Sequence, residues 1–199
     1  FQYLEDCAKA AGLETHFVFT EDIGRDAAGN FTDSKDQIIT WLFKLYPWEF
    51  MFEEEFSGLL GKNNVRYIEP PWKSILSNKA LMPMLWKMFP NHPNLLASFF
   101  EDELSQASHF DALVKKPIFS REGANISIIR DRQEEIASRG PYGDEGYIYQ
   151  AMHALPKFGD NYTLVGSWLV DDEAAGISIR EDAQLVTQDT SRYLPHIIL

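Results

Sequence analysis

The chain has 199 residues, 45% of them hydrophobic and 14% aromatic, enough for one sizeable core or two small ones and far from the composition of disorder. A net charge of −12 excludes a nucleic-acid partner spread over a broad surface, because phosphate backbones need a basic face. No apolar run nears the ~20 residues that span a bilayer, and the single cysteine, Cys7, excludes an internal disulfide or a Cys-rich metal site and points to a reducing, cytoplasmic setting.

The start, Phe1-Gln2-Tyr3-Leu4-Glu5-Asp6, is acidic and amphipathic rather than signal-like, and a chain opening on Phe1 instead of Met reads as a fragment of a longer protein. Residues 1–14 carry a helical pattern, with Tyr3, Leu4, Cys7, Ala8 and Ala11 on one face and Gly12 as the stop. Cys7 falls near that apolar face, which favours packing over reactivity. Thr15 to Phe19 reads as a short strand, Asp26 to Asn30 as a turn, and Ile38 to Leu45 as a buried strand. Pro47 suits the first turn of a helix running through Phe50, Met51, Phe56, Leu59 and Leu60 to Gly61, and Val65 to Ile68 is the next strand. This order suggests a small α/β layer over residues 1–70, incomplete at its first strand. The stiff Glu69-Pro70-Pro71-Trp72 connector marks the domain boundary.

From residue 71 onward, Asn78 can cap an apolar helix through Lys79, Leu81, Met82, Leu85, Trp86 and Phe89. Phe99 to Phe110 is acidic and reads as a solvated loop. Leu113–Phe119 and Ile126–Ile129 are strands around a small, cationic loop. Gly146 to Met152 is a further strand, with Gln150 facing away from Ile148 and Met152 only if a bulge intervenes. Tyr162–Val170 and Ala174–Arg180 flank an Asp171-Asp172-Glu173 hairpin turn. Consecutive strands of this kind imply an antiparallel sheet, so the fold class is α+β.

The chemistry-bearing residues are cations within or beside strands. The loop Ser120-Arg121-Glu122-Gly123-Ala124-Asn125 between two strands suits a hairpin over a polyphosphate, since exposed N–H groups and a guanidinium bind phosphate oxygens. Taken singly, each has a plainer reading. The loop can be just a turn, Lys79 can snorkel from its helix, Lys116 can guard a strand edge, and Arg180 can form an exposed ion pair. Glu49 beside Trp48 can touch a substrate amine or be structural. Asn91-His92-Pro93 and His196 lack metal-ligand spacing, so no metal site is assigned.

Read together, Lys116-Pro117-Ile118-Phe119-Ser120-Arg121-Glu122-Gly123-Ala124-Asn125-Ile126 resembles the phosphate-loop hairpin of the glutathionylspermidine synthase family. Leu45-Tyr46-Pro47-Trp48-Glu49, Asn78-Lys79-Ala80-Leu81-Met82-Pro83, Leu155-Pro156-Lys157-Phe158-Gly159-Asp160 and Gly176-Ile177-Ser178-Ile179-Arg180-Glu181-Asp182 are similar to further blocks of that family, in the same order. The stand-alone bacterial acid–amine ligases, which lack an attached amidase, look most alike. The resemblance implies an ATP-grasp fold over 71–199, behind a small pre-ATP-grasp-like α/β segment over 1–70. It implies ATP-dependent amide formation between a small-molecule carboxylate and an amine, a peptide-like acid and a polyamine in the family's eponymous case, with no nucleic acid or membrane partner. It also implies roles for residues. Lys79 and Lys116 grip the ATP phosphates. Arg121, Gly123 and Asn125 form the loop that closes over them, and Gln150, Ala151 and Met152 hold the adenine edge. Arg180 and Arg121 are the cations near the transferred phosphoryl group.

One departure matters. The family's magnesium ligands belong to an Arg-x-Asp and Glu-x-Asn pattern upstream of the matched blocks, and the sequence has no such pair at suitable spacing. Arg130-Asp131-Arg132 lies after the phosphate loop, in what reads as a turn. The expectation is a C-terminal fragment that binds ATP weakly and does not complete ligation alone, with ATP and Mg2+ as cofactors and the metal ligands outside it. The alternatives are a non-catalytic ATP-binding or interaction domain, and a structural domain whose cations are surface charge.

Overall fold

A computed structural model describes residues 1–131 and 133–197. The chain divides into two units, Phe1–Ile75 and Leu76–Leu199. In the first, α1 (Gln2–Ala10) forms where the periodicity places it, but none of its residues is buried. Cys7 is therefore exposed rather than packed. Thr15 to Phe19 makes no strand; Phe17 instead stacks on Phe1, with ring centroids 4.6 Å apart. Strands β1 (Gly24–Arg25) and β2 (Phe31–Thr32) pair antiparallel around the turn at Asp26, whose carboxylate accepts the N–H groups of Ala28 and Asn30.

The apolar run from Ile38 yields only β3 (Trp41–Phe43), paired in parallel with β4 (Arg66–Ile68). Strand alternation explains why it is not buried throughout. Leu42 and its partner Tyr67 are half-buried, whereas Trp41 and Phe43 point the other way and are exposed. Between these strands, α2 (Trp48–Met51) is one turn and does not continue to Gly61. It places Trp48, 1% exposed, as the anchor of the unit. Tyr67 meets the indole edge-on at 5.0 Å, Phe52 stacks at 5.5 Å, and the Lys44 ammonium lies 4.2 Å from the ring centroid, a cation–π arrangement.

The break between the units falls within the short helix α3 (Ser74–Ser77). In the second unit, α4 (Leu81–Met88) begins two residues after Lys79, and the Asn78 carboxamide accepts the Ala80 N–H rather than capping the first turn. Strand β5 (Ser98–Phe100) leads into a 3-10 stretch over Glu101–Ala107, where the sequence suggested a solvated loop. That stretch turns Glu101 and Asp102 outward and buries Ala107. Glu103 accepts the Phe100 N–H at 3.1 Å and pairs with Lys87, and these contacts hold the Glu103 carboxyl below its usual range, the Lys87 ammonium first among the causes.

Strands β6 (Ala112–Pro117), β7 (Ser127–Arg130), β8 (Gln133–Ala137) and β9 (Tyr147–Ala151) complete a five-stranded sheet in the order β5-β9-β6-β7-β8, antiparallel at every pairing. Of the Arg130-Asp131-Arg132 stretch, Arg130 ends β7 and Asp131 turns at φ 49°; Arg132 lies outside the described residues. One face of the sheet carries the core: Ala97, Phe99, Ala107 and Ala151, packed by Trp86 of α4 and by Leu104, Phe110 and Leu113. The register, Val114 opposite both Ile128 and Gln150 and Lys116 opposite Ile148, puts these residues on the other face. No bulge interrupts β9 against β6, so Gln150 shares its face with Ile148.

Strands β10 (Lys157–Phe158), β11 (Asn161–Val170), β12 (Glu173–Asp182) and β13 (Arg192–Leu194) form a second antiparallel sheet in sequence order. Its long hairpin turns at Asp171 and Asp172, with φ of 52° and 62°. Positive φ at both central residues is what a tight hairpin turn needs, and Asp tolerates it. The whole is α+β: several antiparallel sheets with few, short helices. Among the described residues no helix is long and apolar enough to cross a membrane.

Candidate functional site

A cavity of about 250 Å³ opens on the face of the five-stranded sheet that is turned away from the core. Val114, Lys116 and Ile128 form its sheet wall, Lys79 enters from the turn before α4, and Gly123 comes from the loop between β6 and β7. The remaining walls are Ile126, just before β7, Met152, His153 and Leu155, after β9, and Leu185, Val186 and Thr187, after β12. Two cations from separate elements thus share a small, mainly apolar space. Such a space is slightly below the usual volume of ligand clefts, and its composition suits a ligand with one anionic and one flat apolar part.

Each lysine is held by its neighbours. The Lys79 ammonium donates to both the carbonyl and the hydroxyl of Ser120, each at 2.7 Å, and its backbone N–H donates to the Ile118 carbonyl at 2.9 Å. Lys79 is thereby tied to the far end of the β6 hairpin, not extended to water along a helix. The Lys116 ammonium donates to the Gln150 carboxamide oxygen at 2.7 Å. The Gln150 amide donates in turn to the Ser98 hydroxyl at 3.1 Å, which donates to the Leu96 carbonyl at 2.9 Å. This chain of neutral groups holds the lysine without neutralising it, and burial pushes the Lys116 ammonium below its ordinary range. An anion beside it would reverse that shift.

Residues 122–125 form the turn, with φ of 56°, 75° and 54° at Glu122, Gly123 and Asn125. A side chain on Gly123 would be strained and would collide with the Thr187 carbonyl oxygen, so glycine is what lets the loop lie against the segment after β12. Arg121 is exposed at the start of this loop. The Asn125 carboxamide oxygen accepts the Tyr142 N–H at 2.9 Å, so this side chain braces the loop from outside the cavity. Ala151 sits in the core on the opposite face of the sheet, and its backbone N–H donates to the Ala97 carbonyl at 2.8 Å.

Arg180 is placed elsewhere. It lies on β12 opposite Leu164 and Tyr193, in a second cavity of about 280 Å³ with Trp168 and Ser178. Its guanidinium stands 5.7 Å from the centre of the Tyr193 ring. The structure therefore gathers Lys79, Lys116, Gly123 and Met152 around one cavity, with Gln150 behind Lys116, and sets Arg180 in another. Among the described residues, no group of three or more His, Cys, Asp or Glu side chains is placed to hold a metal ion.

Sequence reading missed part of this site. Val114 and Ile128 could have been found, since they alternate in phase with Lys116 across the hairpin. Leu185, Val186 and Thr187 carry no motif, and their place depends on how the second sheet folds back.

The family model described as "Glutathionylspermidine synthase preATP-grasp" matches residues 1–199. The chain belongs to this family. A Haemophilus influenzae protein named "putative acid–amine ligase" is 41% identical over 201 residues, covering 98% of this chain and 51% of that protein. The Escherichia coli bifunctional glutathionylspermidine synthetase/amidase is 30% identical over 225 residues, covering 100% of this chain and 36% of that protein. The trypanothione synthetase of Crithidia fasciculata is 30% identical over 211 residues, covering 93% of this chain and 32% of that enzyme. The relatives are thus named as ligases and synthetases. The chain spans about half the length of the first of these relatives and about a third of the other two.

Proposed function

We propose that this chain supplies the phosphate-gripping part of an ATP-dependent carboxylate–amine ligase with an ATP-grasp fold. The observation that carries the reading is the meeting of Lys79 and Lys116 in one apolar-walled cavity closed by the Gly123 loop. Two fixed ammonium groups and the N–H groups of a left-handed turn suit a polyphosphate, and the apolar walls suit a purine. In this reading Lys79 and Lys116 hold the phosphates, while Arg121, Gly123 and Asn125 belong to the covering loop. Gln150 keeps Lys116 in place and Met152 borders the adenine, while Ala151, on the core face of the sheet, supports this edge from behind. Arg180 stands in the separate cavity on the second sheet, so its proposed role at the transferred phosphoryl group requires the γ-phosphate to extend from the lysine cavity toward that sheet.

The reaction proposed is amide formation. A carboxylate oxygen takes up the γ-phosphoryl group as ADP leaves. The amine nitrogen then attacks the acyl carbon of the resulting acyl phosphate, loses a proton, and inorganic phosphate departs. Mg2+, when bound, offsets charge on the transferring oxygens. The chain's own residues position the phosphates, and the loop keeps out water that would hydrolyse the activated acid. Names of the relatives suggest the substrate class, a peptide-like acid such as glutathione and a polyamine. An acidic protein would attract a polyamine at long range. The Arg-x-Asp and Glu-x-Asn pattern expected for the metal is not found in the 199 residues, so we further propose that these residues alone bind ATP weakly and do not complete ligation. With a single, exposed cysteine, a reducing cytoplasm is the proposed setting.

The test is magnesium-dependent ATP hydrolysis by the full-length protein, with and without an acid plus a polyamine. Stimulation by the pair, lost in Lys79→Ala and Lys116→Ala proteins that remain folded, supports the reading. Nucleotide binding without any turnover would replace it with a non-catalytic ATP-binding domain. Unaltered activity in both variants would overturn the site.

A further inference from the structure

The loop that closes the lysine cavity is gripped from behind by the segment that follows β8. The Ser138 hydroxyl accepts the Ile126 N–H at 2.9 Å and donates toward the Gly123 carbonyl, with the Ile126 carbonyl 3.3 Å away. The Ser138 N–H donates to the same Ile126 carbonyl at 2.9 Å. Two residues later, a Cβ on Gly140 would stand 2.5 Å from the Asn125 carboxamide oxygen and 2.7 Å from the Ala124 Cβ. Two residues later again, the Tyr142 N–H donates to that carboxamide oxygen at 2.9 Å. Alternate residues 138, 140 and 142 thus touch the loop in succession, as one side of an extended segment would.

The loop needs such support. Glu122 is held at φ of 56°, and a left-handed conformation costs such a residue roughly 1–2 kcal/mol, whereas Asn125, at 54°, tolerates it. Strain of that kind persists only where surrounding contacts determine it. The Ser138 side chain bonds both sides of the turn, at Gly123 and at Ile126.

We propose that Ser138 is a positioning residue that presets the 121–125 loop for phosphate, acting through the Gly123 carbonyl and the Ile126 backbone. Its role toward phosphate rests on the ligase reading above, whereas its grip on the loop does not. Ser138 does not line the lysine cavity, so its removal takes no group away from the ligand. What it removes is the preset shape, and the cost is paid when the ligand must order the loop.

The experiment compares wild type, Ser138→Ala and Ser138→Thr in the full-length protein. The first readout is trypsin cleavage after Arg121 without nucleotide, followed by mass spectrometry, with cleavage after Lys87, in α4 of the same unit, as the control for unfolding of that unit. Ser138→Ala is expected to speed cleavage after Arg121 about tenfold, the fold-change equivalent to losing about 1.4 kcal/mol of loop closure. Cleavage after Lys87 is expected to stay unchanged, and Ser138→Thr, which keeps the hydroxyl, to restore the wild-type rate. Should Ser138→Ala not fold, Gly140→Ala serves instead, because its methyl group displaces Asn125 and Ala124, and it too is expected to speed cleavage after Arg121. Wild-type cleavage after Arg121 in the folded variant overturns the grip, whatever the protein's activity. The second readout is the KM for ATP, expected to rise about tenfold in Ser138→Ala with kcat within about twofold, rescued by Ser138→Thr. A faster-cleaved loop with an unchanged KM would overturn the presetting for phosphate. An absence of any ATP turnover in wild type would count against the ligase reading and leave the cleavage result to decide the grip.

Discussion

Replacing Lys116 with methionine separates what this lysine does for the fold from what it does for a ligand. Its ammonium is desolvated and bonded to a neutral partner, Gln150, at 2.7 Å. Lys116→Met gives up a hydrogen bond involving a charged group, worth about 1.5–3 kcal/mol. It also removes the desolvation cost of a buried ion, which is of comparable or larger size. The two oppose each other, so the unfolding free energy is expected to move by less than about 2 kcal/mol in either direction. Phosphate affinity has no such compensation: losing one charge-assisted contact costs about 1.5–3 kcal/mol, or roughly 10- to 150-fold in Kd.

The pH dependence carries the sign. The Lys116 pKa lies below its ordinary value of 10.5, so the unfolded chain binds more protons between the two values, and stability rises with pH across that window. ATP binding pulls the other way. It favours the charged lysine, so affinity falls as pH rises through the lowered pKa. Lys116→Met is expected to flatten both trends. Urea unfolding and titration calorimetry with ATP on the full-length protein measure the two quantities. A stability loss above about 3 kcal/mol would make Lys116 a structural residue of the sheet, and an unchanged ATP affinity in a folded variant would refute its role as a phosphate ligand.

Two further substitutions test the loop and its neighbour. Gly123→Ala puts a side chain at φ 75° and into the Thr187 carbonyl, and is expected to cost about 1–3 kcal/mol in urea unfolding and to raise the KM for ATP. Asp182 accepts the Ser191 hydroxyl at 2.6 Å and the Gln184 N–H at 2.9 Å, which holds its carboxyl below the ordinary value of 3.8, the Ser191 bond first among the causes. A depressed carboxyl stabilises fully above its unfolded pKa, and the gain is lost as pH falls through the folded value. Melting temperatures followed from about pH 5 to pH 2 are therefore expected to fall less steeply in Asp182→Asn than in wild type.

The parts of the fold legible in the sequence were those set by local patterning. The β6 and β7 strands announce themselves by β-branched runs around a Gly-bearing loop, and the long hairpin by Asp171 and Asp172 between apolar alternations. In residues 1–75 the same reading did less well. Thr15 to Phe19 is apolar enough for a strand but has no partner strand in the unit, and Trp41 and Phe43 stay exposed because β3 pairs with β4 alone. The 101–107 stretch is hard to read because Glu101 and Asp102 face outward, Glu103 folds back onto the Phe100 N–H and Lys87, and Ala107, the residue that matters for packing, carries no signal of its own. At the site, Lys79, Lys116 and Gly123 were legible through the family's blocks. Arg180 belongs to another of these blocks, but it stands on the second sheet, apart from the lysine cavity. Thr187 and Ser138 could not be seen at all. One acts by a carbonyl pressed against Gly123 and the other by a lone hydroxyl, and neither contact leaves a periodicity or spacing to read.

The central claim is that Lys79 and Lys116 face the phosphates of a bound ATP. An acyl-phosphate derivative of ATP, which acylates lysines beside the terminal phosphate, tests it directly in the full-length protein. Mass spectrometry is expected to find the acyl group on Lys79 or Lys116, and an excess of unmodified ATP with Mg2+ is expected to protect them. Labelling confined to other lysines, or labelling of these two that ATP does not diminish, would contradict it.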